Sequence, residues 1–380
     1  MEKSARTVRM KIGIDARKIR DFGIGNYLRQ LLIRLPDHDN EYCIFHYPED
    51  AECIPHESPN ISLVRENSPK YSLQELFVLP LKMAAQQLDL FHAPHYTLPP
   101  IRPCKGIVTI HDVIHLRFPG NLPHPAACYY ARGIMWAAAR SAKKVLTVSE
   151  CSKQDIIHYL GVPEQKIEVI YNGITPRSEA IERIRNPESR ETLRQQFGIS
   201  RKYLLFLSNF MPHKNFETLI KACSLLKHRR QLDACLVLAG KNDKLRSQLQ
   251  ALISSEKMTE DVLLTGFVEP ELIPALYANA ELFVYPSLYE GFGLQALEAM
   301  NYDIPVAISN VSALPEIAGD AAITFNPESV EDMAAAIFKI LSDPGLQAAL
   351  LEKGRARVQT FSWTTAAERT LEVYQAALQG

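Results

Sequence analysis

The chain has almost no surplus of charge. Its 380 residues hold 42 Lys and Arg against 43 Asp and Glu, a formal net charge of -1. A dedicated nucleic-acid binder carries a strong basic excess, so no nucleic-acid partner is expected. Cysteine is scarce and badly spaced for crosslinking. Cys43, Cys53, Cys104, Cys128, Cys151, Cys223 and Cys235 are odd in number and include no C-x-x-C pair. That argues against a disulfide framework or a structural zinc site and for reduced thiols in the cytoplasm. No uninterrupted apolar run approaches the ~18 residues that cross a bilayer. The opening residues, MEKSARTVRMKIGIDARK, lack the apolar core of a secretory signal. Low-complexity tracts and internal repeats are also missing. The expectation is a soluble protein that at most touches a membrane surface.

What is present is 47% hydrophobic and 22% charged residues, enough to build two or three compact units. Short apolar runs alternate with amphipathic stretches. In the first half, 10–14, 42–46, 62–64, 90–92, 107–111, 145–148 and 167–170 read as strands. Between them 25–35, 73–87, 126–141 and 149–160 read as helices. The stretch 175–196 is polar and contains two prolines. The alternation then resumes, with strands at 203–208, 236–239, 262–265, 282–285, 305–309 and 322–325. Helices are expected at 216–228, 243–255, 269–278, 293–300 and 330–342. This is an α/β pattern of two doubly wound, Rossmann-like parallel-sheet domains. The expected boundaries are 1–175, a link at 176–200, then 201–360. A last helical stretch, within 361–380, is long enough to pack back on the first domain. Two such domains facing each other create a cleft, and ligands of open α/β sheets bind outside the carboxyl ends of the strands.

Residues 282–300, LFVYPSLYEGFGLQALEAM, are the most informative. A strand ends, a two-glycine turn follows, and a helix opens near Gly293. Backbone amides of Phe292, Gly293 and Leu294 at such a turn suit an anionic group. Gly291 and Gly293 let backbone approach a ligand closely. Glu290 and Glu298, with seven residues between them, can accept hydrogen bonds from hydroxyls at two points. A nucleotide sugar, with hydroxyls on both sides of a diphosphate, satisfies that layout.

The run EGFGLQALE resembles the E-x7-E motif of retaining glycosyltransferases of the GT-B fold, in particular glycosyltransferase family 4. LTGFVEPEL (264–272), LSNFMPHKN (207–215), YNGI (171–174), GIGNY (23–27), VSECS (148–152) and NVSALPEIAGDAA (310–322) are similar to other segments of that family. The resemblance covers nearly the whole chain. It implies a first domain for the acceptor and a second for a GDP- or UDP-hexose donor. It also implies transfer with retention, no cofactor, and no catalytic metal.

Residue by residue, the resemblance implies that Lys214 offsets diphosphate charge, Glu290 holds sugar hydroxyls and Glu298 the ribose. Phe267 and Val268 lie where the family contacts the base. The family often has Arg six residues before that Lys; here it is Ser208, followed by Asn209, both on the donor side. Members resembling O-antigen mannosyltransferases also carry a small polar residue there, which favours GDP-mannose. His111 would contact the donor sugar and Asp112 orient it or bind an acceptor hydroxyl. Gly23, Ile24 and Gly25 are expected in a flexible loop between the first strand and first helix, near the diphosphate or acceptor. The acceptor is expected to be a glycan or lipid-linked saccharide, with peripheral contact at the inner face of the membrane.

Three patterns are set aside. His111-Asp-Val-Ile-His115 imitates H-E-x-x-H, but it starts at a strand end and lacks the Glu. Asp37-His-Asp39 imitates a D-x-D metal motif, but reads as a solvated polar turn. The helical stretch 126–144 spaces Arg132, Trp136 and Arg140 four apart; it reads as a domain helix with a solvated basic side, the alternative being a basic-aromatic strip that rests on anionic lipid and suits a lipid-linked acceptor. A nucleotide-sugar epimerase or phosphorylase of the same fold, or a non-catalytic sugar-nucleotide-binding subunit, remains the alternative function.

Overall fold

The computed structural model describes residues 9–35, 40–55, 58–121, 124–177, 180–241 and 245–379; Asp37 to Asp39 lie outside them. The chain divides into two compact units. Unit 1 comprises Met1–Gly173 and Ser362–Gly380, and unit 2 is Ile174–Phe361.

Unit 1 holds seven parallel strands: β1 (Lys11–Asp15), β2 (Glu41–His46), β3 (Ile61–Arg65), β4 (Leu90–Ala93), β5 (Lys105–Thr109), β6 (Lys144–Thr147) and β7 (Ile167–Val169). Their spatial order is β3-β2-β1-β4-β5-β6-β7. The inner strands, such as LFHA of β4, are buried throughout, as a sheet covered on both faces requires. The crossover helices are α1 (Phe22–Arg34), α2 (Leu73–Ala85), the short α3 (Ile114–Arg117), α4 (Pro125–Ser141) and α5 (Glu150–Leu160). Leu28, Leu31 and Leu32 of α1 pack into one core against Ile12, Ile14 and Leu90. Leu79 and Met83 of α2 and Met135, Ala138 and Ala139 of α4 pack into a second core against Phe45, Phe91 and Val108.

Unit 2 repeats the scheme with six parallel strands: β8 (Tyr203–Leu207), β9 (Cys235–Ala239), β10 (Val262–Gly266), β11 (Leu282–Tyr285), β12 (Val306–Ser309) and β13 (Ile323–Phe325). The order is β10-β9-β8-β11-β12-β13. Its helices are α6 (Ile181–Ile184), α7 (Pro187–Phe197), α8 (Phe216–His228), α9 (Arg246–Ser255), α10 (Ile273–Ala278), α11 (Leu294–Asn301), α12 (Leu314–Ala318), α13 (Val330–Ser342) and α14 (Pro344–Val358). The polar stretch 176–200, offered by the sequence as a link, carries α6 and α7 and groups with unit 2. Asn186 and Ser189 form a reciprocal capping box and Pro187 opens the helix, which organises a segment with few apolar residues.

The final helix, α15 (Trp363–Gln379), returns to unit 1. Trp363, Ala366, Ala367, Leu371 and Tyr374 are buried in the same core as Ile12 and Leu28. Tyr374 Oη sits 2.7 Å from His92 Nδ1, and His92 Nε2 lies 2.8 Å from Thr109 Oγ1. The turn before it fits only because residue 173 is glycine: a Cβ there would stand 2.1 Å from the Trp363 amide nitrogen. Among the described residues no single helix is long and apolar enough to cross a membrane.

Candidate functional site

In each sheet the chain reverses its direction of winding once, between β1 and β4 in unit 1 and between β8 and β11 in unit 2. Loops leaving the carboxyl ends of two such strands splay to opposite sides, leaving a crevice for ligands. Of the predicted residues of unit 2, Ser208, Asn209 and Lys214 follow β8 and Glu290 to Gly293 follow β11, while Phe267 and Val268 follow β10 and Leu294 and Glu298 lie in α11.

After β8, Ser208 is buried and its amide donates to Ala239 O, which closes the sheet. Asn209 is exposed. Residues Pro212–Lys214 form a single 3-10 turn, and Asn215 follows with φ 56. Asn tolerates that left-handed backbone better than a branched residue. Its side chain then clamps the loop, donating to Pro286 O at 3.1 Å and Pro327 O at 2.7 Å and accepting from Thr218. The turn aims Lys214 inward. Its side chain is 9% exposed, and its ammonium donates to Glu290 Oε1 at 2.6 Å, with the carboxylate 13% exposed. The expected phosphate cation and the expected sugar-binding carboxylate are therefore partners.

After β11 comes the two-glycine turn. Gly293 is the N-cap of α11 with φ 100, and a Cβ there would also meet Leu314 at 2.5 Å; only glycine fits. The helix begins at Leu294, one residue after the expected opening. Phe292 is buried, with its ring edge-on to Phe361, so its part in any phosphate contact is confined to its backbone. Ser312 Oγ accepts from the Glu290 amide at 3.0 Å. Beneath the pair, buried Tyr285 donates to Gln295 Oε1, and Gln295 Nε2 donates to Leu207 O at 3.0 Å. Burial, and then the charge of Glu290, holds the Tyr285 phenol well above its ordinary range. Tyr285, Gln295, Ser312 and Asn215 were not singled out from sequence. They read there as ordinary core and loop residues, and only their convergence on Lys214 and Glu290 distinguishes them.

Glu298 lies on the half-buried side of α11, where its Oε2 accepts from Tyr277 at 3.0 Å. Burial raises its pKa, and Tyr277 partly offsets that. After the edge strand β10, Phe267 is 53% exposed and Val268 is buried. Phe267 thus offers a ring face to a ligand, while Val268 anchors the loop.

The remaining predicted residues belong to unit 1. His111 follows β5. Its Nε2 lies 3.0 Å from Pro94 O and its ring stands edge-on to Tyr27, with centroids 5.0 Å apart. Burial holds its pKa down at about 4, against a smaller opposing effect from Pro94. The neutral ring must donate from Nε2 to that carbonyl, which leaves Nδ1 as the acceptor. Asp112 Oδ1 accepts from the Ile114 amide at 2.9 Å, which starts α3. His115 lies within α3. Among the described residues no group of three or more His, Cys, Asp or Glu is placed to hold a metal ion.

Gly23, Ile24 and Gly25 are not a flexible loop. They form the first turn of α1, and Gly25 N donates to Asp21 O at 2.6 Å. Asp21 stands at the capping position but gives its carboxylate to Lys18 and Lys70 rather than to a helix amide, and two glycines in the first turn are poor helix formers, so sequence alone did not show how early the helix starts. Ile24 lines a cavity at the β1/β4 reversal with Asp15, Arg17, Lys18 and His95. Arg17 is fixed there, donating to Asp15 at 2.6 Å and Glu75 at 3.1 Å. Neither Gly23, Gly25 nor Asp112 lines this cavity.

Comparison with known proteins agrees with this fold. The family model "Glycosyltransferase Family 4" matches residues 23–178, and "Glycosyl transferases group 1" matches 189–357. O-antigen chain mannosyltransferase B of Escherichia coli is 31% identical over 75% of this chain and 74% of its own length. The serotype-specific mannosyltransferase WbdA of Escherichia coli is 30% identical over 73% of this chain, but the match takes in only 34% of its own length. Anabaena HepE, solved in complex with UDP-glucose, superposes with a TM-score of 0.74 at 20% identity, covering 97% of this chain and all of the other. These likenesses identify the two parallel-sheet units as those of the GT-B fold.

Proposed function

This chain belongs to the group 1 glycosyltransferases of family 4, and we propose that it moves a hexose from a nucleotide sugar to a hydroxyl of a glycan or lipid-linked saccharide, with retention of configuration. The Lys214–Glu290 ion pair at the β8/β11 reversal, beside the amino end of α11, is the observation that carries this reading. A diphosphate entering there offers Lys214 a doubly charged partner in place of Glu290. The released carboxylate then accepts from sugar hydroxyls. Binding of the donor thus switches on both roles at once.

The departing phosphate oxygen takes the proton of the attacking hydroxyl on the same face of the sugar, so no protein base is needed. The chain's own contribution is charge stabilisation and orientation. Lys214 and the first-turn amides of α11 serve the diphosphate, Glu298 the ribose and Phe267 the base, with Ser208 and Asn209 lining the donor side. Neutral His111 accepts a sugar hydroxyl at Nδ1. Unit 1 takes the acceptor. GDP-mannose is the favoured donor, supported by the mannosyltransferase names of the relatives; the UDP-glucose bound by HepE supports a nucleotide sugar more generally. The reaction runs without a catalytic metal and without a cofactor.

The test is transfer from GDP-mannose and UDP-glucose, with excess chelator, to a panel of saccharide acceptors. Proton NMR of the product reads the anomeric configuration. An α-mannoside formed in chelator is expected. An inverted product, or activity lost to chelator and restored by added metal, overturns the reading.

A further inference from the structure

The outer surface of unit 1 carries a stripe that a soluble domain has no use for. On α2, Leu73, Phe77 and Leu81 are spaced four apart and are 67, 72 and 72% exposed. The inner side of the same helix is already used, by Leu79 and Met83 in the core. An amphipathic helix with one apolar face buried should present polar residues outward; this one presents a second apolar row.

The neighbouring helix continues the face. The crossovers from β3 to β4 and from β5 to β6 run in the same direction along the sheet, so right-handed connections place α2 and α4 on the same side. They share one core, and Tyr130 at the start of α4 donates to Tyr71 O beside the start of α2. On α4 the outward row is Tyr129, Arg132, Trp136 and Arg140, three or four apart and all exposed. Tyr129 is 78% exposed, and the Arg140 guanidinium rests over the Trp136 ring. Beyond the far end of α4, Arg102 donates to Ser141 and carries Ile101, 86% exposed.

The charge around this surface is one-sided although the chain is neutral. Helix α4 carries Arg132 and Arg140 and no carboxylate, whereas Arg117 and Lys144 nearby in sequence are paired with Asp155 and Glu168. The single acid of α2, Glu75, is buried against Arg17. Aliphatic and aromatic side chains at the centre with Arg and Lys alongside match the boundary of an anionic bilayer. A second copy fits poorly: a two-fold contact sets the same patch against itself, and the basic rows would meet with no carboxylate to pair them.

We infer that the α2/α4 face of unit 1 is a membrane-docking surface that inserts Leu73, Phe77 and Leu81 among anionic lipids. It deepens the proposed use of a lipid-linked acceptor and rests on that reading only for its purpose. The physical binding stands or falls alone.

The experiment is sedimentation of the full chain with vesicles of phosphatidylcholine and with vesicles containing phosphatidylglycerol, without donor or acceptor. Binding is expected to the anionic vesicles, much less to the neutral ones, and to weaken as salt is raised. Phe77→Glu with Leu81→Glu should bind anionic vesicles about tenfold less, and Arg132→Glu with Arg140→Glu should lose most of the preference for anionic lipid. Ile33→Glu, an exposed position on α1 across the sheet, should bind normally. Unchanged melting of each variant establishes folding. A wild type that stays with the supernatant, or a Phe77/Leu81 variant that sediments as well as wild type, overturns the proposal. Light scattering that shows a dimer abolished by the same two substitutions, with no vesicle binding, assigns the face to a second copy. Transfer to a soluble acceptor is measured in parallel, so failure of docking is distinguished from failure of the glycosyltransferase reading.

Discussion

Lys214 and Glu290 sit 76 positions apart in the chain and 2.6 Å apart in the fold. Each neutralises the other in a nearly buried setting, so neither can be removed without stranding its partner. Lys214→Ala or Glu290→Ala should each lower turnover roughly a hundredfold or more, by loss of charge stabilisation. Each should also cost about 3 kcal/mol of stability, because an unpaired charge is left in a poorly hydrated place. Replacing both by apolar residues of similar size should restore much of the stability and none of the activity. Denaturant unfolding of the single and double variants measures the first effect, and steady-state transfer the second. Near-normal transfer by folded single variants would sink the assignment.

Among the described residues five histidines make stability depend on pH, His95 and His115 among them because burial lowers the pKa of both. Burial lowers the pKa of His92 to about 3 and of His111 to about 4; at His213, burial and then the Lys214 charge lower it to about 4. The unfolded chain binds these protons near the ordinary value of 6.5, so it takes up more protons than the folded chain below that pH. The histidine contribution to stability is therefore full above about pH 6.5 and falls as the pH drops from there toward 4, by about 1.4 kcal/mol per pH unit for each proton. His92→Gln should flatten the slope by close to one proton in that window. Equilibrium unfolding between pH 7 and 4, on the order of one point per half unit, reads the slope.

The junction before α15 has no room for a side chain at residue 173. Gly173→Ala should destabilise unit 1 by about 2 kcal/mol or more, because the added carbon meets backbone rather than a movable side chain. Trp363→Ala should cost about 3–5 kcal/mol through the cavity it leaves in the same core. Both should make the chain newly sensitive to proteolysis near residue 362. Normal melting and unchanged proteolysis in either variant would contradict this packing.

Phe267 is exposed after β10, and its neighbour Val268 is buried. Phe267→Ala should leave melting unchanged and weaken donor binding about tenfold, the loss of one stacked base. A thermal-shift titration makes the same point in the wild type: the true donor at a hundredfold excess over its Kd should add about 2.7 kcal/mol. Unchanged donor affinity in the folded Phe267→Ala variant would remove the role assigned to this ring.

Most of the sheet was readable in advance. Runs such as YLLFL at β8 and CLVLA at β9 are apolar throughout because they are covered on both faces, and their short length between polar breaks reads as buried strand. Helices were legible where one face is apolar, as in α8, and illegible where it is not. The helix α14, PGLQAALLEKGRARV, scatters its apolar residues around the axis and was missed. The segment of α7 is so polar that it looked like a link, until its Asn186 cap and Pro187 are recognised as a helix start.

The candidate site divides in the same way. The two-glycine turn before α11 was legible because Gly293 occupies a backbone conformation that other residues resist. The Lys214–Glu290 contact was not, since nothing in either local segment points to the other. Tyr277 holding Glu298, Asn215 clamping the Lys214 loop and Gln295 bracing Tyr285 were equally hidden, because each bond joins residues whose local patterns are those of ordinary core or loop.

The order of apolar runs, the polar breaks and the glycine turn were enough to determine two doubly wound units and the family to which they belong, because burial on both sheet faces and a left-handed turn each leave a local chemical mark. Which charges pair and that α2 turns a second apolar row outward were decided only by the fold. Those are relations between distant segments, and exposure and pairing exist only once the chain has closed on itself.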